Sequence, residues 1–196
     1  MRHNLSEINR LIQDRRTIYP EQFSDRKVHR EQIEMLLESA RWAPTHKLTQ
    51  PWNFKVFMEA GIEKFANWHA ETYKQITPAD SFSEMKYNTL KTRPLKASAL
   101  IVVSMKRDVN QSIPEIEELA AVGCAVQNMH LTATAAGLGF YWGTGGLTFH
   151  PLMKEFLGLK EEDKVMGLLF VGYPAIEWPR KTQRKPIEYY SEFIEQ

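Results

Sequence analysis

Leu5, Ile8, Leu11 and Ile12 recur at the three- to four-residue spacing that lines one side of a helix. The chain is therefore expected to open with a short amphipathic helix ending at the basic pair Arg15 and Arg16. Ile33, Leu36, Leu37 and Ala40 form a second helical face, limited by Pro44 because the residue before a proline is disfavoured in helical geometry. A polar loop, Thr45 to Gln50, separates it from a strand over Trp52 to Met58, where Phe54, Val56 and Met58 alternate with Asn53, Lys55 and Phe57. Ile62, Phe65, Ala66, His69 and Tyr73 then predict a helix. Residues 77–94 hold Phe82, Met85 and Tyr87 among polar residues with no sustained period, which predicts a mobile or partly helical flap.

The apolar run from Ala99 to Val103 has the length of a buried strand. After Pro114 comes a long helix whose Ala120, Ala121, Gly123, Cys124 and Ala125 would allow close packing on all sides, ended by Gly137 and Gly139. A short strand, Phe140 to Trp142, leads into the glycine-rich turn GTGGL at 143–147. A small helix over His150 to Leu157 and a last core strand over Val165 to Tyr173 complete the predicted body. The tail is charged and proline-punctuated, yet it carries Ile176, Trp178, Ile187, Tyr189, Tyr190, Phe193 and Ile194, which predicts docking against a partner subunit. With helices interspersed among few strands and no internal repeat, the pattern is α+β, read as a single domain over residues 1–196.

Charge and composition narrow the function. The 25 Lys+Arg balance 24 Asp+Glu to a net +1, so no overall field draws a polyanion or an anionic membrane, and nucleic acid is not an expected partner. The apolar runs fall far short of the ~20 residues of a membrane helix, and the polar start has no signal-peptide core. One cysteine, Cys124, leaves no internal disulfide, and the expected compartment is the cytoplasm. Within the alanine-rich helix that thiol reads as a small buried hydrophobe. The six histidines show no metal-ligand spacing, so no metal is expected. The segment GLGFYWGTGG lacks the dinucleotide-binding spacing GxGxxG, since Trp142 and Thr148 stand where the last glycine is required.

Three polar features remain, each with two readings. Arg15, Arg16 and Thr17 combine two guanidinium forks and a hydroxyl suited to a phosphate, or are cations complementing a helix C-terminus. Thr45 to Trp52 is a binding loop or a plain surface loop. Gly143 to Gly146 bring backbone amides close to a flat ligand or simply make a tight turn.

Their order along the chain is more specific than any one of them. RRT near the start, APTHKLTQPW about thirty residues later, AAGLGFYWGTGGL after the alanine-rich helix, and VGYP followed by RKP resemble the nitroreductase family over nearly the whole chain, closest to its short members. The resemblance implies a small mixed sheet flanked by helices around a long central helix, with the C-terminal tail reaching the partner subunit of a homodimer. It implies FMN as cofactor, with Arg15, Arg16, Thr17 and Arg184 at the phosphate and His46 at the flavin and ribityl chain. Trp142, Gly143 and Thr144 would edge the isoalloxazine from the other subunit. NADH or NADPH would supply electrons, and a nitroaromatic, quinone or similar small molecule would accept them in a ping-pong cycle, with no side chain required as general acid or base. Three departures stand out: many relatives have asparagine at Leu48 and serine at His46, and the close short forms often have arginine at Trp42. Reductive dehalogenation on the same fold, or a flavin-binding redox sensor with little turnover, are the alternatives.

Overall fold

The structure is a computed structural model that describes residues 3–195. Asn4 starts helix α1 (Leu5–Asp14) by accepting hydrogen bonds from the Ser6 and Glu7 amides, which would otherwise lack partners. Although the helix is amphipathic, none of its residues is buried within the chain. Helix α2 (Arg30–Ala40) buries Ile33, Leu36 and Ala40, the face the spacing predicts. Strand β1 (Trp52–Met58) follows, then α3 (Ala60–Ile76), whose buried set includes Ile62, Phe65, His69 and Tyr73. The region expected as a flap contains a helix, α4 (Glu84–Thr92), capped by the Ser83 side chain. It folds back on α3, with the Ser83 amide donating to Tyr73 Oη and Tyr87 Oη donating to Glu71.

Strand β2 (Ala99–Met105), helix α5 (Glu115–Ala135), strand β3 (Gly139–Gly143), helix α6 (Pro151–Leu157) and strand β4 (Lys164–Gly172) complete the body. The sheet order is β1-β2-β4-β3, and every neighbouring pair is antiparallel. That corrects the expectation of a mixed sheet. The α3–α4 hairpin returns the chain to the end of the sheet where β1 finished, pairing Met58 with Ala99, so no same-direction crossover is made.

All seven residues of β2 are buried, because the sheet is covered on both faces. One face packs Ile101, Val103 and Leu169 against α2 and α5, while the other packs Leu100, Val102 and Phe170 against α3 and α6. The central helix is not packed on all sides, as its composition suggested. Ile116, Ala120, Cys124 and Gln127 lie along one exposed stripe, so Cys124 is an exposed thiol and not a core residue. Its position on the helix turns it away from the sheet that buries Val122, Ala125, Val126 and Met129.

The tail is anchored at its start. Phe23 bridges Pro174, the Ala175 amide donates to Gln22 O at 2.8 Å, and the Trp178 indole donates to Asp14 O at 2.7 Å. Beyond it, Ile187, Tyr189, Tyr190, Phe193 and Ile194 are all exposed.

Candidate functional site

After α1 the chain becomes extended, and the Ile18 amide donates to Phe140 O at 3.2 Å, laying residues 15–18 beside the start of β3. Extended backbone alternates its side chains, so Arg16 and Ile18 turn inward while Arg15 and Thr17 face out. Arg16 is only 8% exposed. Its Nε donates to Arg180 O at 3.0 Å and its NH1 to Gln13 O and Arg15 O at 2.7 and 2.6 Å. The helix-terminus role therefore falls to Arg16, which also ties the tail to the end of α1. Arg15 is partly exposed, and burial, then the charge of Arg16, then that of Arg184, hold its guanidinium below the ordinary arginine value. Among the described residues, no carboxylate lies within ion-pair distance of Arg15, Arg16 or Arg184. Arg16 and the exposed Arg184 both repel the charge on Arg15, and a bound anion would relieve that repulsion.

The five residues of β3 span about 14 Å between this cluster and the glycine turn. Gly146 takes φ +67°, which favours glycine, and the Leu147 amide donates to His69 Nε2 at 2.8 Å. Because that nitrogen accepts, Nδ1 must carry the proton. Burial, with Lys86 nearby, pushes the His69 pKa down to about 4, so the ring stays neutral and keeps accepting. His69 was legible in the sequence only as part of an apolar helix face, since its partner lies 78 positions away.

Between α4 and the turn lies a cavity of about 180 Å³ lined by His69, Lys86, Leu90, Arg93, Tyr141 and Phe170 with Gly143, Gly145 and Gly146. Arg93 sits 4.9 Å over the Tyr141 ring. Lys86 and Arg93 were both absent from the sequence-based site; Arg93 is ion-paired with Glu21 at 3.0 Å, so among the described residues Lys86 supplies the uncompensated positive charge at the cavity. A Cβ at residue 146 would collide with His69 Nε2 and lie 2.7 Å from Leu90 Cδ2. Gly146→Ala is therefore expected to cost at least about 1–3 kcal/mol from backbone strain alone. Urea unfolding measures it, and a variant as stable as the parent would count against this packing.

Trp142 is less free than its nomination implied. Its indole N–H donates to Met166 O at 3.0 Å, and the ring lies over Gly167, where any side chain would overlap it. Gly143 is buried in the strand, while Thr144 is exposed. His46 lies elsewhere, on a loop where Lys47, Leu48 and Gln50 all take positive φ without being glycine. Strain of that kind gathers at functional sites. His46 Nδ1 is 2.6 Å from Glu117 Oε2, and Lys47 Nζ donates to Ser112 O at 3.0 Å. Glu117 and His130, the α5 residues that meet His46 and Arg15, are 13 residues or about 20 Å of helix apart. One chain thus brings together the arginine cluster, β3 and the glycine turn, but not His46.

Comparison with known proteins adds independent information. Residues 12–173 match the model of the Nitroreductase family. YdjA of Escherichia coli strain K12, provisionally named an NAD(P)H nitroreductase, is 33% identical over 147 residues, covering 75% of this chain and 78% of that protein. The crystal structure of a nitroreductase-like family protein from Bacillus cereus is 31% identical with a TM-score of 0.83, covering 100% of both chains. At 18% identity and a TM-score of 0.73, the FMN-dependent nitroreductase NfnB of Mycobacterium smegmatis, solved in complex with NADPH, shares the fold over 97% of this chain and 100% of its own.

Proposed function

The chain belongs to the nitroreductase family of NAD(P)H-dependent oxidoreductases, and we propose that it binds FMN at the junction of two copies and delivers electrons to a small nitroaromatic, quinone or similar acceptor. The observation that carries this reading is the arginine cluster without a carboxylate, one strand length from a glycine turn. FMN fits that arrangement in chemistry: a dianionic phosphate for the cluster and a flat ring for backbone without Cβ atoms. When bound, FMN would accept a hydride from NADH or NADPH and, once the nicotinamide has left, pass the electrons to the acceptor.

The residues divide this work. Arg15, Thr17 and Arg184 would hold the phosphate by charge-assisted and neutral hydrogen bonds, while Arg16 fixes the backbone that presents them. Lys86 would stabilise negative charge on the ring, with Arg93 held beside it by Glu21, and the turn amides of residues 143–146 would donate to the ring. Trp142 and Thr144 border that turn. Because β3 lies beside the Arg15–Thr17 segment of its own chain, His46, rather than Trp142, Gly143 and Thr144 as the resemblance implied, would approach from the second copy. A two-fold axis running beside α5, level with Gly123 and Cys124, would set two copies of the helix antiparallel and bring His46 of one chain towards the arginine cluster of the other. The same contact covers the exposed stripe of α5. Work in the cytoplasm is part of this proposal, and the exposed Cys124 thiol suits a reducing compartment.

The exposed apolar tail would wrap the partner. A chain ended at Pro174 is expected to be monomeric or aggregated and poor in flavin. A soluble truncated dimer with full flavin content, seen by light scattering and absorbance, would refute the wrapping role.

The reductase reading is tested by titrating the purified protein anaerobically with NADH and with NADPH while following flavin absorbance. At least one nicotinamide should bleach the flavin, and a nitroaromatic or quinone should restore the colour. If neither bleaches it, the protein is a flavin binder without this reductase activity.

A further inference from the structure

We propose that His130 of α5 is the positioning residue of the phosphate end, holding the Arg16 carbonyl so that Arg15 and Thr17 are presented together to the ligand. The inference rests on the reading of that end as a phosphate site. His130 is 7% exposed, and its Nε2 lies 2.9 Å from Arg16 O. A carbonyl only accepts, so the imidazole donates from Nε2 and Nδ1 is left with a lone pair. Burial holds the ring neutral near physiological pH, with a pKa of about 4. Arg15 NH1 stands 3.4 Å from both ring nitrogens. A neutral ring there tolerates the neighbouring guanidinium, whereas a lysine or arginine would add a fourth positive charge to the cluster.

The geometry explains why the contact matters. The Arg16 carbonyl sits in the middle of the Arg15–Arg16–Thr17 segment, and the Ile18 amide is already fixed to Phe140. The His130 ring stacks on Phe140 with centroids 4.7 Å apart. One side chain therefore joins the central helix, the first residue pair of β3 and the backbone of the candidate phosphate loop. Without its N–H, the segment keeps its anchor at Ile18 but loses the one at Arg16, and Arg15 gains rotational freedom.

The test compares FMN with riboflavin, which lacks the phosphate, by flavin fluorescence on the apoprotein. His130→Phe retains the stack on Phe140 and removes the donor. His130→Gln supplies an amide donor at a similar reach. His130→Phe is expected to weaken FMN about tenfold, the worth of one buried hydrogen bond, and to leave riboflavin within about twofold. His130→Gln should recover most of the FMN affinity. Equal losses for FMN and riboflavin, or no loss for either, would overturn the positioning role. Should His130→Phe fail to fold, His130→Leu keeps an apolar contact with Phe140 and is judged by the same ratio. Arg15→Ala separates the two levels of the argument. If Arg15→Ala and the wild type both fail to distinguish FMN from riboflavin, the phosphate reading falls and the inference with it. If Arg15→Ala weakens FMN alone while the His130 variants do not, only the inference falls.

Discussion

Replacing Glu118 with alanine is expected to remove about 3–5 kcal/mol of folding stability, the usual cost of breaking a buried ion pair from one side. Glu118 lies in the first turn of α5 with 0% exposure. Its Oε2 accepts from Arg107 NH1, and its Oε1 accepts from the Asp108 amide at 2.9 Å. Arg107 also donates to Ile113 O at 2.8 Å, and its own amide donates to Asp163 Oδ1 at 2.9 Å. Alanine would leave a nearly buried guanidinium without its counter-charge and an amide without an acceptor. It would also remove a carboxylate from a helix N-terminus, where negative charge is favourable. Glu118→Gln keeps an acceptor and should lose less. Urea unfolding of both variants decides the matter, and a loss below about 1 kcal/mol for alanine would mean that the pair contributes little. A functional consequence follows from Ser112, whose carbonyl holds Lys47. Loosening the Arg107–Ile113 loop should also loosen the strained loop that carries His46.

The strands were legible because burial sets the apolar pattern of each. β2 is buried on both faces and reads as an unbroken apolar run, while β1 at the sheet edge is partly buried and sets Phe54, Val56 and Met58 against Asn53 and Lys55 in sequence. α4 was illegible for the opposite reason. None of its residues is buried, so no apolar period marks it, and its start depends on a single serine cap. Cys124 misled because small residues in a helix announce close packing without naming the partner, and the face it occupies is left open by the rest of this chain. At the site, the phosphate-type residues stood out by chemistry, since two arginines and a hydroxyl in a row are conspicuous. What the sequence hid was their division of labour: Arg16 is spent on three carbonyls, one of them 164 positions away. His69 and His130 were hidden by the same kind of distance, as their partners at Leu147 and Arg16 lie 78 and 114 positions off.

Acid is expected to unfold the apoprotein unusually early, between about pH 6.5 and pH 4, because of those two histidines. Burial is the main cause in each, joined by the Lys86 charge at His69; at His130 the hydrogen bond to Arg16 opposes the shift and the Arg15 charge adds to it. Both pKa values fall from 6.5 to about 4 in the folded chain. The folded state therefore refuses two protons that the unfolded chain accepts within that window. Stability is complete above the unfolded value and declines as pH falls, by up to about 2.7 kcal/mol per pH unit when both sites contribute. Urea unfolding at a series of pH values measures the slope. His69→Gln and His130→Gln should each remove roughly half of it, and stability that stays flat between pH 6.5 and 5 would show that the rings are not buried as described. The same linkage orders two events in the holoprotein. Neither histidine titrates while the fold is intact, so flavin release and loss of the circular dichroism signal should share one midpoint. Flavin leaving at a distinctly higher pH than the fold would place the acid-sensitive group on the cofactor contacts themselves.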